Sequence, residues 1–165
     1  MDKTTEIYPW LKTQWDKLSK IPKSEFPHAL IITGMNGVGK TDFCHILSQS
    51  LLCENLLDNS LACGVCPSCT QYHVGSHGDF LQLNILEGKK SIGVDQVREM
   101  INWINLTHQS KQKKVLLIPM ADQMTLQASN ALLKTLEEPP AEVVIILICE
   151  HVKSLIATIR SRCQI

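Results

Sequence analysis

The segment GMNGVGKT, residues 34–41, constrains the fold of this chain more than any other feature. It follows the apolar run HALIIT and opens a stretch of helical periodicity from Lys40 to Leu52. A glycine-rich turn between a buried strand and a helix directs backbone N–H groups toward one point, where the helix N-terminus adds a partial positive charge. The sequence therefore predicts a phosphate-binding loop of the G-x-x-x-x-G-K-[ST] type.

This loop predicts a nucleotide triphosphate as its ligand. Gly37 and Gly39 allow the tight turn, because glycine tolerates backbone angles that other residues avoid. Lys40 is expected to reach the β- and γ-phosphates, and Thr41 to place its hydroxyl on Mg²⁺, so the predicted cofactor is ATP with Mg²⁺. The residues predicted to bind it are Gly34, Asn36, Gly37, Val38, Gly39, Lys40 and Thr41. A glycine-rich turn without a ligand is the alternative.

The remainder of the chain alternates strand-like and helical segments, which is typical of an α/β fold with a mostly parallel sheet. Apolar runs predict three further strands, at residues 79–86, 114–118 and 142–149. Helical periodicity predicts helices over residues 5–18, 94–106 and 125–138. The last of these is expected to stop at Pro139-Pro140, because proline breaks the helical hydrogen-bond pattern.

The composition excludes several classes of protein. Lys+Arg and Asp+Glu both number 16, so the net charge is zero and the chain is not a nucleic-acid binder that works by bulk charge. A chain of 165 residues fits one domain, residues 1–165. No apolar run reaches the length of a membrane span, and the N-terminus lacks a signal-peptide core. We therefore expect a cytoplasmic protein with no membrane partner.

The third predicted strand, KVLLI, ends in Pro119 and Met120. Nucleotide-hydrolysing folds of this kind normally place acids here, one to hold Mg²⁺ and one to orient the attacking water. Proline has no side-chain oxygen, and the methionine thioether is unsuited to a hard cation. Asp122 is the nearest acid but falls in the following loop, and Glu87 has no neighbouring acid. We expect poor hydrolysis or none, unless Asp122 replaces the missing acids.

A cysteine-rich segment, residues 53–77, follows the helix after the phosphate loop. Its spacing C-x9-C-x2-C-x2-C is typical of a closed tetrahedral zinc site, which is structural because no position remains for water. The predicted ligands are Cys53, Cys63, Cys66 and Cys69. Two alternatives remain open: ligation by His73 or His77, and redox chemistry by the closely spaced cysteines.

Four segments together resemble the clamp-loader subunits of bacterial DNA polymerase III, which belong to the AAA+ class. They are YPWL near the N-terminus, the cysteine cluster, SNALLKTLEEPP at 129–140 and ATIRSRCQI at 157–165. The resemblance covers nearly the whole chain and implies a P-loop AAA+ domain with a five-stranded parallel sheet, flanked by helices and carrying an inserted zinc-binding module. Family members continue into lid and collar domains, which implies that residues 1–165 are the N-terminal part of a longer chain.

Within that family, YPWL and the missing acids favour the delta prime type over the ATP-hydrolysing tau/gamma type. The resemblance then implies a non-motor stator in a hetero-pentamer with tau/gamma and delta, which loads the sliding clamp onto primed DNA. Arg162, the arginine of SRC, is implied to reach the triphosphate of the neighbouring subunit, with Arg160 as a competing candidate. Cys149 stands where motor subunits often sense the γ-phosphate with a hydroxyl or amide. A tau/gamma-like motor is the alternative because the loop is complete, and a small P-loop kinase is a third.

Overall fold

The computed structural model describes residues 6–106 and 112–165, so the predicted helix start at Thr5 lies outside the described residues. Four parallel strands form one sheet in the order β1-β4-β3-β2. The strands are β1 (Ala29–Thr33), β2 (Phe80–Gln82), β3 (Lys114–Ile118) and β4 (Val143–Cys149). The helices are α1 (Lys12–Leu18), α2 (Lys40–Leu52), α3 (Pro67–His73), α4 (Val94–Asn105), α5 (Leu126–Glu137) and α6 (Ala157–Arg160).

The two central strands explain why the sequence shows continuous apolar runs. Every residue of β3 and β4 is buried, because helices cover both faces of the sheet. Successive side chains of a strand point to opposite faces. Leu116 and Ile118 accordingly join the core formed with α4 and α5, whereas Val115 and Leu117 join the core formed with α1 and α2. The result is a three-layer α/β domain with a core on each side of the sheet.

The expectation of a five-stranded sheet is wrong, because the described residues form four strands. Gln164 occupies the place beside β1 where a fifth strand would lie, and it forms a single parallel bridge with Leu30. The N–H of Ile31 donates to the Gln164 carbonyl at 2.7 Å, and the Gln164 N–H donates to the Ala29 carbonyl at 3.0 Å. One bridged residue does not constitute a strand, and the sequence contains only four apolar runs of strand length.

Two elements are shorter than the sequence predicts. The second strand covers only Phe80–Gln82, and one further ladder bond joins the Leu83 N–H to the Leu117 carbonyl before the chain turns away. This strand lies at the sheet edge, where pairing on one side alone supports fewer residues. The first helix begins at Lys12, after a 3-10 turn over Pro9–Leu11.

The loops that matter for function leave the same edge of the sheet. Because all strands are parallel, the segments that follow β1, β3 and β4 emerge at their common carboxyl ends, where α/β sheets usually bind ligands. None of the helices in the described ranges is long and apolar enough to cross a membrane.

Candidate functional site

The glycine-rich loop adopts the geometry that its sequence predicts. Gly37 and Gly39 have positive φ angles of 83° and 85°, in the left-handed region that favours glycine, and α2 begins directly afterwards at Lys40. The Lys40 ammonium folds back onto the loop and donates to the carbonyls of Gly34, at 2.6 Å, and Met35, at 2.7 Å. A bound phosphate would compete with these two carbonyls for the ammonium.

A cavity of about 540 Å³ opens beside the loop, within the size range of small-molecule sites. The predicted nucleotide-binding residues that line it are Asn36, Gly37, Gly39, Lys40 and Thr41. Gly34 and Val38 lie in the same loop but contribute carbonyls to protein contacts, with Lys40 and with Trp10 respectively. The loop therefore brings five of its seven predicted ligands to one cavity.

Pro119 and Met120 line the same cavity, so the two residues that directly follow β3 contribute no carboxylate to it. Cys149, the last residue of β4, lines it too, and burial raises the pKa of its thiol. A thiol is a weaker hydrogen-bond partner than a hydroxyl or amide. Glu87 lies instead in a groove beside β2 and α4.

Three carboxylates line the cavity, and each already accepts a hydrogen bond from the protein. Asp42 accepts from the Tyr8 hydroxyl at 3.0 Å, and Glu150 accepts from the Asn36 side-chain amide at 3.0 Å. Asp122 follows β3 in a 3-10 turn, and its Oδ2 accepts from the Glu150 N–H at 3.4 Å. Asp122 thus reaches the cavity, where it joins the segment after β3 to the end of β4.

An aromatic pair covers the loop, and the loop motif alone gives no sign of it. The Tyr8 ring lies against Gly39 so closely that a Cβ added there would be 2.5 Å from two ring carbons. Trp10 stacks on Tyr8 with ring centroids 5.0 Å apart and planes 4° apart, and its Nε1 donates to the Val38 carbonyl at 3.0 Å. Residues of the YPWL segment are therefore fixed to the phosphate loop.

Arg162 is not part of this cavity's lining. It follows α6, where its Nη2 forms an ion pair with Glu137 Oε1 at 2.5 Å. Its Nη1 donates to the Thr158 carbonyl at 2.8 Å and to the Ser161 hydroxyl at 3.3 Å. About a third of the side chain, 32%, is exposed. The Nε of Arg160, the competing candidate, is buried and has no hydrogen-bond partner within the described residues.

The four predicted metal ligands come together in space. Their Sγ atoms all lie within 4.8 Å of one another, and Cys53 Sγ is 3.7 Å from Cys63 Sγ and 3.9 Å from Cys66 Sγ. Zinc–sulfur bonds of about 2.3 Å in a tetrahedron place neighbouring sulfurs ~3.8 Å apart. Four thiols at these distances could hold a metal ion, and their number and type fit zinc.

Backbone N–H groups orient these thiols, and together with burial they shift the pKa values of the thiols. Cys66 forms the N-cap of α3, where its Sγ accepts the Cys69 N–H at 3.4 Å. The N–H groups of Val65 and Cys66 lower the pKa of the Cys63 thiol to about 7, whereas burial raises the pKa of Cys69 to about 12. Cys63 therefore ionises well before Cys69, and a bound cation would favour the thiolate at the buried position.

His77 and His73 are not among the clustered ligands. His77 is buried, its Nδ1 accepts the Asp79 N–H at 3.1 Å, and its Nε2 therefore carries the proton and donates to Ser68 Oγ at 2.8 Å. Ser68 in turn donates to the Leu52 carbonyl at 2.7 Å, so its hydroxyl is not activated as a nucleophile. These hydrogen bonds join α3 to the end of α2. His73 is exposed, and its Nε2 lies 3.0 Å from the Nε2 of Gln49.

Comparisons with known proteins show the family to which this chain belongs. Residues 11–165 match the protein family described as "DNA polymerase III, delta subunit". The chain is 37% identical over 158 residues to the DNA polymerase III subunit delta' of Pseudomonas aeruginosa, covering 96% of this chain and 47% of that one. It is 38% identical over 159 residues to the delta' subunit of Escherichia coli, with coverages of 96% and 47%. The chain thus spans about half the length of these curated relatives.

A solved structure supports the fold. A DNA polymerase III gamma subunit-related protein of Thermotoga maritima matches with a TM-score of 0.60, covering 93% of this chain and 43% of that chain. Its sequence identity of 21% supports the fold alone. The assignment to a family rests on two findings. The family match extends over residues 11–165, and each of the two delta' alignments covers 96% of this chain. This chain belongs to the family described as DNA polymerase III, delta subunit, and the two relatives named above are delta prime subunits.

Proposed function

We propose that this chain is the nucleotide-fold domain of a clamp-loader delta prime subunit, which acts as a non-motor scaffold in cytoplasmic DNA replication. Its partners would be tau/gamma and delta subunits in a hetero-pentamer, and through that complex the sliding clamp and primed DNA. The observation that carries this proposal is the cavity beside the phosphate loop, where Pro119 and Met120 stand in place of catalytic acids.

The chemistry of the cavity favours holding a nucleotide over hydrolysing it. Lys40 and Thr41 can serve the phosphates and Mg²⁺ of ATP, since both line the cavity at the start of α2. Mg²⁺ prefers oxygen ligands, and neither Pro119 nor Met120 has a side-chain oxygen. The two residues that directly follow β3 therefore can neither hold Mg²⁺ nor position an attacking water. We expect the ATPase activity of this subunit itself to be absent or weak.

The arginine would act on a neighbouring subunit. Arg162 lies outside its own cavity and is partly exposed, with its planar guanidinium oriented by Glu137 and the Thr158 carbonyl. A permanently charged, forked group suits the charge that develops on a transferring γ-phosphate. We infer that Arg162 completes the ATP site of the adjacent motor subunit.

Reassembly of the loader with full-length subunits tests this role. Arg162→Ala should leave the complex intact but lower hydrolysis at the one neighbouring site at least ~1,000-fold, as for other arginines supplied in trans. A single-turnover assay would show this loss as a fraction of bound ATP that is no longer cleaved. Arg98→Ala is the matched control, because Arg98 is an exposed arginine on α4 that forms an ion pair with Asp95. Full hydrolysis by the Arg162 variant would remove Arg162 from this role.

A tau/gamma-like motor is the second candidate, because the phosphate loop is complete and Asp122 reaches the cavity. Steady-state hydrolysis by the isolated full-length subunit distinguishes the two functions. The scaffold proposal predicts turnover near background, equal in the wild type and in Asp122→Asn. Turnover at the rate of ordinary motors, lost in Asp122→Asn, would establish the motor instead.

We also propose that the cysteine cluster binds structural zinc, supported by four thiols whose Sγ atoms all lie within 4.8 Å of one another. Metal analysis of the purified chain should give about one zinc per chain, with no exchangeable water position. Cys66→Ser should lower that content and destabilise the segment, because metal binding and folding are coupled in such modules. A chain that folds fully without any metal would contradict this proposal.

A further inference from the structure

Lys23 connects the main domain to the cysteine cluster. It lies in a 3-10 turn over Lys23–Glu25, ahead of β1 and far from the cysteines in sequence. Its Nζ donates to the Cys53 carbonyl at 2.5 Å and contacts Gln112 Oε1 at 3.3 Å. The side chain is partly exposed, and its ammonium group reaches the backbone of Cys53 at the base of the cluster.

The surroundings of this ammonium are negative once the cluster holds a metal. The thiols of Cys53, Cys66 and Cys69 lie within electrostatic range of Lys23. Four thiolates around a divalent ion leave about two net negative charges in a largely buried site. Burying such charge is unfavourable unless a partner of opposite sign is held nearby.

We propose that Lys23 is the counter-cation of the metal centre. It offsets the excess negative charge of the thiolates, which strengthens metal retention and lowers the reactivity of the sulfurs toward electrophiles. Lys23 is thus a positioning residue that acts on the metal through its ligands, not a ligand itself. The inference rests on the zinc binding proposed above and is independent of the clamp-loader role.

If Lys23 acted only as a cap for the end of α2, its replacement would have different effects. The carbonyls at the end of α2 lack helical partners, and Lys23 and Ser68 satisfy two of them, on Cys53 and Leu52. A cap of this kind needs a donor but no charge, and it would stabilise the chain equally with and without metal. A counter-cation needs the charge, and its effect appears in metal affinity and thiolate reactivity.

The test compares four variants of the zinc-loaded chain. Lys23→Met removes both donor and charge, Lys23→Gln keeps a donor without charge, and Lys23→Arg keeps both. Lys20→Met is the matched control, because Lys20 is an exposed lysine in the same region. Zinc affinity is measured by competition with a chelating dye, and thiolate reactivity by the rate at which N-ethylmaleimide releases zinc.

We expect Lys23→Met and Lys23→Gln to weaken zinc binding about 10- to 100-fold, the usual effect of losing an outer partner of a metal ligand. Both should release zinc severalfold faster, whereas Lys23→Arg and Lys20→Met should behave like the wild type. Wild-type affinity and release rate in Lys23→Gln would overturn the inference and leave Lys23 as a cap. Should Lys23→Met not fold, Lys23→Gln decides alone. A wild-type chain that takes up no zinc would instead refute the zinc proposal itself.

Discussion

Replacing Gly39 by alanine tests whether the aromatic cover of the phosphate loop is as close as the structure shows. Gly39 has a φ of +85°, and an added Cβ would lie 2.5 Å from Cδ2 and Cε2 of Tyr8. Contacts of that length do not occur, so the Tyr8 ring would have to move away. Gly39→Ala should therefore cost stability twice, through backbone strain and through the displaced ring.

The magnitude follows from the contacts that the ring makes. A non-glycine residue in the left-handed region costs about 1–2 kcal/mol. A displaced Tyr8 loses its hydrogen bond to Asp42, worth about 1 kcal/mol, and its stack on Trp10, worth about 1 kcal/mol. Gly39→Ala should thus lower the free energy of unfolding by about 3–4 kcal/mol. In a Tyr8→Ala background it should cost only the backbone strain, about 1–2 kcal/mol.

Urea unfolding of the wild type, both single variants and the double variant gives the coupling between the two positions, expected to be about 2 kcal/mol. Gly37→Ala is the matched control, because Gly37 has nearly the same φ, +83°, but nothing lies within 4 Å of its added Cβ. Its cost should be the strain alone and should not depend on Tyr8. Equal costs of Gly39→Ala in both backgrounds would refute the contact between Tyr8 and the loop.

Two further predictions concern buried titratable groups. Lys114→Met should lower the free energy of unfolding by about 3 kcal/mol in urea titrations, because the buried Lys114 ammonium donates to the Trp103 and Leu106 carbonyls at 2.8 and 2.9 Å; a loss below about 1 kcal/mol would contradict this. Burial lowers the pKa of His77, so the folded imidazole stays neutral while the unfolded one protonates below about pH 6.5. Stability should fall as pH drops below that value, by up to ~1.4 kcal/mol per unit, and His77→Gln should remove this part of the pH dependence.

Local patterns in the sequence were sufficient for most of the fold. The runs that became β3 and β4 are continuous because both of their faces are covered, and the helix after the loop begins at Lys40 as its motif predicts. The number of strands was not predictable in this way. Gln164 reaches the edge of β1 from a distant part of the sequence, and no local run of residues encodes such a pairing.

The candidate sites show the same difference between features that are local in the sequence and contacts that form only in the fold. Cys53, Cys63, Cys66 and Cys69 lie within one short segment, so the sequence was enough to group all four, and the structure brings them to one point. Lys23 is absent from that prediction because it reaches the cluster from a turn ahead of β1. The contact of Tyr8 with the loop was likewise invisible, because a glycine motif shows what the backbone can do and not what covers it.

The carboxylates around the cavity give a physical reason why a complete phosphate loop need not make a motor. Asp42, Asp122 and Glu150 each accept a hydrogen bond that joins two separate segments, so the acids hold the rim together. If Asp122 turned away from this position to serve Mg²⁺ or a water, its bond to the Glu150 N–H would break and leave that group unpaired, at a cost of about 1 kcal/mol or more. A motor gains from acids that are free to respond to the nucleotide, whereas a scaffold gains from acids that fix its shape, and these three are arranged in the second way.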